Sequence, residues 1–199
     1  LKSKKPLRCS MELPPFPCVP VHLDETEHPG GVIAAFLKER PSSRWVLLGT
    51  HAVQTHMQLW TAWVKTTRNE LRGSCVARSI DAEFMRYLAG THHVSEAFAR
   101  AGYQEGSGDA WILHLPQAES SRNSLGHIHP FIPEVVTVPE EISTLLHLLG
   151  AETKDSPMSL SIEGAELLGA DAHSVEFDNL EERLIAHISM ADDQSASHR

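Results

Sequence analysis

Cysteine is scarce in this sequence, and no two cysteines stand at a metal-binding spacing. The chain of 199 residues has three, Cys9, Cys18 and Cys75, without a Cys-x-x-Cys pair. This odd and scattered set argues against a disulfide framework or a zinc knuckle, and it favours a reducing compartment. We therefore expect a cytoplasmic protein, which is also nuclear if its host is a eukaryote.

Long apolar runs are also missing. No stretch approaches the roughly 20 apolar residues that a membrane-spanning helix needs, so we expect no contact with a membrane. The basic residues at positions 2–8 are not followed by the apolar segment of a signal peptide. We expect none, and Met11 is an alternative start of the natural chain.

The common catalytic motifs are absent too. The sequence has no Gly-x-Gly-x-x-Gly, Gly-x-x-x-x-Gly-Lys, Gly-x-Ser-x-Gly or His-Glu-x-x-His. These absences weaken P-loop nucleotide hydrolysis, esterase chemistry and zincin proteolysis as functions.

Charge is distributed unevenly along the chain. Residues 32–103 hold nine basic and five acidic side chains, for a net charge of +4, whereas residues 104–199 hold four and seventeen, for −13. A basic middle can contact nucleic acid locally, although the acidic remainder opposes attraction over long distances. A solvated basic surface without a ligand explains the same composition, and both interpretations stay open.

The length of 199 residues predicts one domain, and its apolar segments predict both strands and helices. A proline-rich arm (1–22) starts an edge strand near Val19, the domain spans 23–190, and the polar tail (191–199) is disordered. An insertion occupies about 116–157. The predicted strands after the arm are Trp45–Leu48, 74–79, Ala110–Leu115 and 135–138.

Residues 80–102 predict two short helices in succession. The first has one apolar face, and Gly90 provides a left-handed stop after it. The second follows Thr91 and ends at Gly102. The apolar positions of the two helices are Ile80, Phe84, Met85 and Leu88, then Val94, Ala97, Phe98 and Ala101.

Thirteen histidines raise a metal-dependent enzyme as an alternative. His127 and His129 alternate in a predicted extended segment, and His114 ends a strand, so the three could share a metal. No carboxylate or cysteine stands at close spacing to them, which favours solvated loop histidines. Among the four tryptophans, Trp63 stands at the edge of a helical apolar stripe and is the one for which we expect exposure.

The helix pair resembles the PRPK-binding protein (TPRKB) family. The resemblance is carried by an apolar strand, a long helix, a basic connection, and then Glu83-Phe84-Met85 leading to Gly90 and Val94-Ser95-Glu96-Ala97-Phe98 leading to Gly102. It covers roughly residues 32–115 and 160–190. The segment from about 116 to 157, with its His-x-His-Pro loop, has no counterpart in the pattern.

The resemblance implies an α+β fold, with a small and mostly antiparallel β-sheet packed against several helices. It also implies a non-catalytic subunit of the KEOPS (EKC) complex, which makes threonylcarbamoyladenosine (t6A) in tRNA. We therefore expect no enzyme, no cofactor and no small-molecule substrate. Members bind the kinase-like ATPase subunit (Bud/PRPK-type), and archaeal-type members also hold the tRNA 3′ end. We therefore predict partner contacts from the last helix and RNA contacts from the basic middle, while a protein-interaction module without RNA binding remains a third hypothesis. The partner-binding residues are Leu180, Leu184 and Ile188; the RNA-binding residues are Lys65, Arg68, Arg72, Arg78, Arg86 and His92.

Overall fold

A computed structural model describes residues 13–24, 26, 28, 30–118, 120–122 and 128–196. Within this part the chain forms seven helices and six strands. The strands are β1 (Cys18–Leu23), β2 (Trp45–Gly49), β3 (Asp109–His114), β4 (Ser120–Arg122), β5 (Ile128–Pro130) and β6 (Ala151–Thr153). The helices are α1 (Val32–Glu39), α2 (His56–Arg72), α3 (Ile80–Leu88), α4 (Val94–Ala101), α5 (Glu141–Leu148), α6 (Ile162–Leu167) and α7 (Leu180–Ala196).

The main sheet has four strands in the order β2-β3-β1-β6, and every neighbouring pair is antiparallel. Its residues alternate between two apolar cores, as the period of two along a strand requires. Val46, Leu48 and Leu113 face the larger core with α2, α3 and α7, whereas Leu47 and Ile112 face a smaller core with α1 and α5. The predicted α+β fold in one domain is confirmed.

Strand β1 lies inside the sheet, although its prolines favoured an edge. It pairs with β3 on one side and with β6 on the other. The pairing with β6 covers only the end of β1 from Val21 onward, so Pro20 removes no donor from it. Pro20 instead accepts a hydrogen bond from the Lys154 N–H at 2.9 Å. The residues before β1 also belong to the fold, since Phe16 is buried against Trp60 and Phe84.

The segment predicted as an insertion is part of the fold. Its end supplies β6 to the main sheet, and α5 buries Leu145 in the smaller core. Strands β4 and β5 form a separate antiparallel pair. Residues 135–138 form no strand, and Val135 is 83% exposed.

The predicted helix pair is confirmed as α3 and α4, which pack against each other. Helix α3 is the most enclosed helix among the described residues, since every position from Asp81 to Gly90 is buried. Three of these positions carry charge, and burying an unpaired charge costs several kcal/mol. Each therefore needs a partner inside the protein.

Glu83 is the centre of that pairing. Its carboxylate is fully buried and accepts from Arg86 Nη1 at 3.0 Å, from Asn69 Nδ2 at 2.9 Å, and from the N–H groups of Val76 and Ala77 at 3.1 and 2.9 Å. The strand predicted at 74–79 is absent for this reason. The N–H groups that a ladder would have used bind one carboxylate, and the segment is a loop.

Arg86 extends this network to the last helix. It donates from Nε to the His92 carbonyl at 3.1 Å and from Nη2 to the Ala191 carbonyl at 3.2 Å. The neighbouring Tyr87 hydroxyl donates to Asp192 Oδ1 at 2.7 Å. Helix α7 therefore continues through the region predicted as a disordered tail and reaches Ala196; residues 197–199 lie outside the described part.

A close approach of α3 to α7 explains Gly90. Its φ of 55° is the left-handed conformation that the sequence predicted, and a Cβ at this position would collide with the His187 ring. His187 is 4% exposed and its Nε2 lies 3.1 Å from the Leu168 carbonyl. Burial lowers the pKa of His187 below its ordinary value of 6.5, because the charged ring would lose its hydration.

We expect Glu83→Gln to destabilise the protein by about 3–5 kcal/mol, since it leaves the Arg86 charge buried without a counterion. Denaturant unfolding followed by circular dichroism measures this decrease in stability. The control is Glu39→Gln, which removes a carboxylate paired with the exposed Lys38 and should cost less than about 1 kcal/mol. Equal stabilities of the two variants would contradict the role of the buried pair.

We also expect His187 to make the protein less stable in acid. As the pH falls below about 6.5 the unfolded chain binds a proton at His187 while the folded chain does not, so its stability falls until the lowered native pKa is reached. The dependence is at most about 1.4 kcal/mol per pH unit. Unfolding between pH 7.5 and 5 should show a weaker dependence in His187→Gln than in the wild type or in the exposed control His93→Gln. Identical slopes would refute this.

Candidate functional site

An apolar groove lies between α1, α3 and α4. It has a volume of about 490 Å³ and includes the edge of the sheet at Leu47. This volume falls in the range of about 300–1,000 Å³ that is typical of ligand sites. Its main apolar walls are Ile33, Phe36, Leu37, Met85, Phe98 and Tyr103.

Three of the wall residues remain largely in contact with water. Ile33 and Leu37 are 39% and 50% exposed, and their spacing of four places them on one face of α1. Phe98 is 41% exposed on α4, although the sequence predicted it for the inner face of that helix. Exposed apolar side chains gathered around a concave surface are typical of an interaction site.

The start of α1 is fixed to the turn between α4 and β3. Glu105 accepts hydrogen bonds from the N–H groups of Val32 at 3.2 Å and Ile33 at 2.9 Å, two groups that the helix itself leaves without partners. The carboxylate also lies at the positive end of the helix dipole. Gly31 permits this approach, since a Cβ there would stand 2.8 Å from Glu105 Oε1.

The end of α1 is fixed to α3 and β2. Arg40 Nη1 donates to Asp81 Oδ2 at 2.6 Å and to the Trp45 carbonyl at 3.0 Å. The other oxygen, Asp81 Oδ1, is inaccessible and has no partner among the described residues. Because the ion pair of Arg40 with Asp81 fixes the end of α1, the shape of the mostly apolar groove is set before a partner arrives.

A polar pocket adjoins the groove, and Ser79 lines both. The pocket has a volume of about 390 Å³ and lies between the turn after α1 and the loop before α3. Arg44 in this pocket is paired with Glu70. Arg78 is exposed and forms no ion pair within the described residues. The polar lining consists of Ser42, Ser43, Arg44, Glu70, Arg78 and Ser79.

Four of the six residues predicted to bind RNA have side chains that reach the surface. Arg72 and Arg78 are exposed, and Arg68 is half-buried on the same helix end as Arg72. Lys65 is half-buried and pairs with Asp192 at 3.2 Å. These four side chains reach the surface along α2 and the following loop.

The structure contradicts surface contact for Arg86, which is 1% exposed and holds Glu83 inside the protein. His92 is half-buried, with Nδ1 at 3.3 Å from Arg86 Nη2. The sequence pattern of a basic stretch does not distinguish a cation that faces water from one that pairs with a buried carboxylate. The prediction for Arg86 is therefore wrong, because its guanidinium has no route to a phosphate.

The partner-binding prediction for α7 is wrong for a similar reason. Leu180, Leu184 and Ile188 are 0%, 1% and 0% exposed, and they form the stripe that packs into the larger core. Trp63, for which exposure was expected, is fully buried and donates from Nε1 to the Pro116 carbonyl at 2.9 Å. An apolar stripe does not specify whether the protein's own core or a partner covers it.

The proposed histidine site is only partly visible. His114 lies beside Trp45, with ring centroids 4.9 Å apart, and burial lowers its pKa. His127 lies outside the described residues, as does the side chain of His129. In the part of the chain that is described, no group of three or more His, Cys, Asp or Glu side chains is placed to hold a metal ion.

Sequence reasoning missed the groove residues Ile33 and Leu37. The spacing of four on α1 was a signal, but the same helix also buries Val32 and Phe36, so the pattern alone indicates a core helix. Only the positions of α3 and α4 show that one side of α1 is left uncovered.

None of the described helices has the length and apolar character to cross a bilayer.

Comparison with known proteins identifies the family of this chain. No curated protein matches the chain. The family described as kinase binding protein CGI-121 matches residues 29–146, more than half of the chain, including α1 to α4 and much of the segment predicted as an insertion. The chain belongs to the kinase binding protein CGI-121 family, which is the family of the PRPK-binding protein.

Proposed function

We propose that this chain is a non-catalytic subunit of a KEOPS-type complex and that it binds the kinase-like ATPase subunit through the groove between α1, α3 and α4. The observation that carries this proposal is the position of the groove. All of its walls fall between Ile33 and Gln104, inside the range that matches a family of kinase-binding proteins. The proposed site of action is the cytoplasm, and also the nucleus in a eukaryotic host.

The exposed walls supply the free energy of association. Ile33, Leu37 and Phe98 each have between 39% and 50% of their surface still in water. Covering the remainder of one such side chain contributes on the order of 1 kcal/mol. Because Glu105 and Arg40 already hold α1 in place, little of this gain is spent on ordering the groove.

The proposed role of the complex is threonylcarbamoyladenosine modification of tRNA, and we propose that this subunit contacts the tRNA near its 3′ end. The exposed cation Arg72, with the partly exposed Arg68 and Lys65, supports this role. All four tryptophans are at most 6% exposed, so they offer no stacking surface. The contact would therefore depend on phosphate charge, which makes it sensitive to salt.

We expect Leu37→Asp to weaken the complex with the kinase-like ATPase of the same genome by at least about tenfold, because it places a charge in the apolar interface. Isothermal titration calorimetry measures the affinity. Leu167→Asp is the matched control, since Leu167 is 52% exposed on α6, away from the groove. It should leave the affinity within about twofold. An equal decrease in both variants, or no complex with the wild type, would refute the proposed site or the proposed partner respectively.

We expect charge reversal at Arg68 and Arg72 to weaken tRNA binding and to reduce its salt dependence by about one unit of slope for each phosphate that is no longer neutralised. Filter binding between about 50 and 300 mM salt measures both quantities. Arg183→Glu, the same charge change at a residue paired with Asp171 on α7, is the control and should bind as the wild type does. An unchanged slope in the double variant would remove Arg68 and Arg72 from an RNA site.

A further inference from the structure

The apolar groove and the polar pocket form one continuous surface. Both are lined by Ser79, and the chain from Arg40 to Arg44 runs from the wall of the first to the wall of the second. An occupant of the groove that extends past Ser79 therefore enters the pocket. The two parts differ in charge. The groove is mostly apolar and its Arg40 is paired with Asp81, whereas the pocket has two guanidinium groups and one carboxylate beside its apolar walls.

The pocket holds one positive charge that no neighbour compensates. Arg44 is paired with Glu70, and its Nη1 also donates to the carbonyls of Leu115 and Pro116 at 3.3 and 3.2 Å. Arg78 has no such partner among the described residues. The site thus contains two guanidinium groups and one carboxylate, and an added carboxylate would balance it.

Hydrogen bonds fix the backbone on both sides of the pocket. Buried Glu83 binds the N–H groups of Val76 and Ala77, which directly precede Arg78. On the opposite wall the Arg44 N–H donates to Ser42 Oγ at 3.2 Å. A ligand therefore meets fixed backbone on both sides, and only the exposed side chain of Arg78 has to adjust.

Other classes of ligand would complement the groove or the pocket, but not both. A small apolar molecule would fill the groove and leave Arg78 without a counterion. Nucleic acid would supply a phosphate to Arg78 but no aliphatic side chain for Ile33 and Leu37. Addition of a partner strand to β2 is obstructed, because Gly102 already bridges Leu48 at that edge.

We propose that the groove and the pocket together bind one amphipathic, acidic helix of the kinase-like partner. Aliphatic side chains spaced by three or four residues fill the groove, and an Asp or Glu of the same helix enters the pocket and pairs with Arg78. This inference rests on the proposed function, and it adds the class of segment that is bound and the residue that recognises its charge.

Photo-crosslinking of the full chain in complex with the kinase-like ATPase tests whether one partner segment occupies both the groove and the pocket. A photoreactive amino acid replaces Leu37 in one variant and Ser42 in another, and mass spectrometry identifies the labelled partner peptides. Both should label the same helix, within a few turns of an Asp or Glu. Labelling of unrelated segments, or of a segment without an acidic residue, would overturn the inference while leaving kinase binding intact. Absence of any complex would overturn the proposed function as well.

Charge reversal tests the role of Arg78. We expect Arg78→Glu to lower kinase affinity about tenfold or more, and a partner variant with the crosslinked acid changed to Arg to recover part of that affinity. Arg183→Glu, the same charge change at a residue of α7 that lines neither the groove nor the pocket, should leave kinase affinity within about twofold. Circular dichroism confirms that both variants are folded. If Arg78→Glu lowers only tRNA affinity, the pocket binds nucleic acid and the inference is wrong.

Discussion

The buried pair of Glu83 and Arg86 determines how the helices of this protein are arranged. Helix α3 is enclosed on all sides, so its charges must be satisfied from within. Glu83 does this by holding α2 and the loop before α3, and Arg86 does it by holding α7. The preceding helix and loop and the distant α7 are thus fixed around one helix by a few directional bonds.

The surfaces proposed to bind partners depend on this interior. Met85, on the same helix, forms part of the groove wall, and the loop held by Glu83 presents Arg78 at the adjoining pocket. The two proposed binding partners, a kinase-like protein and tRNA, would meet the chain on neighbouring faces. A single buried helix can therefore hold both surfaces at a constant distance from each other.

The features that the sequence predicted are those with local causes. The helix pair follows from apolar periodicity and from Gly90, all within 23 residues, and strands β2 and β3 follow from compact apolar runs. The errors concern the partners of individual groups, which neither composition nor periodicity specifies. Arg86 binds Ala191, 105 positions away, and the loop at 74–79 binds Glu83 rather than a neighbouring strand. Leu184 and Leu37 both belong to apolar stripes, and only the packing of other helices decides that the first is buried and the second is exposed.

The two attachments of α1 have a consequence for biogenesis. At its start, Ile33 donates to Glu105, which lies 72 residues later in the sequence. At its end, Arg40 pairs with Asp81, which lies 41 residues later. Each contact closes a long loop, which costs conformational entropy, and neither can form before the later residue is present. The groove is therefore complete only once the chain has folded through Glu105. A protein that recognises this groove discriminates mature molecules from unfinished ones, and incomplete chains would be left out of the assembly.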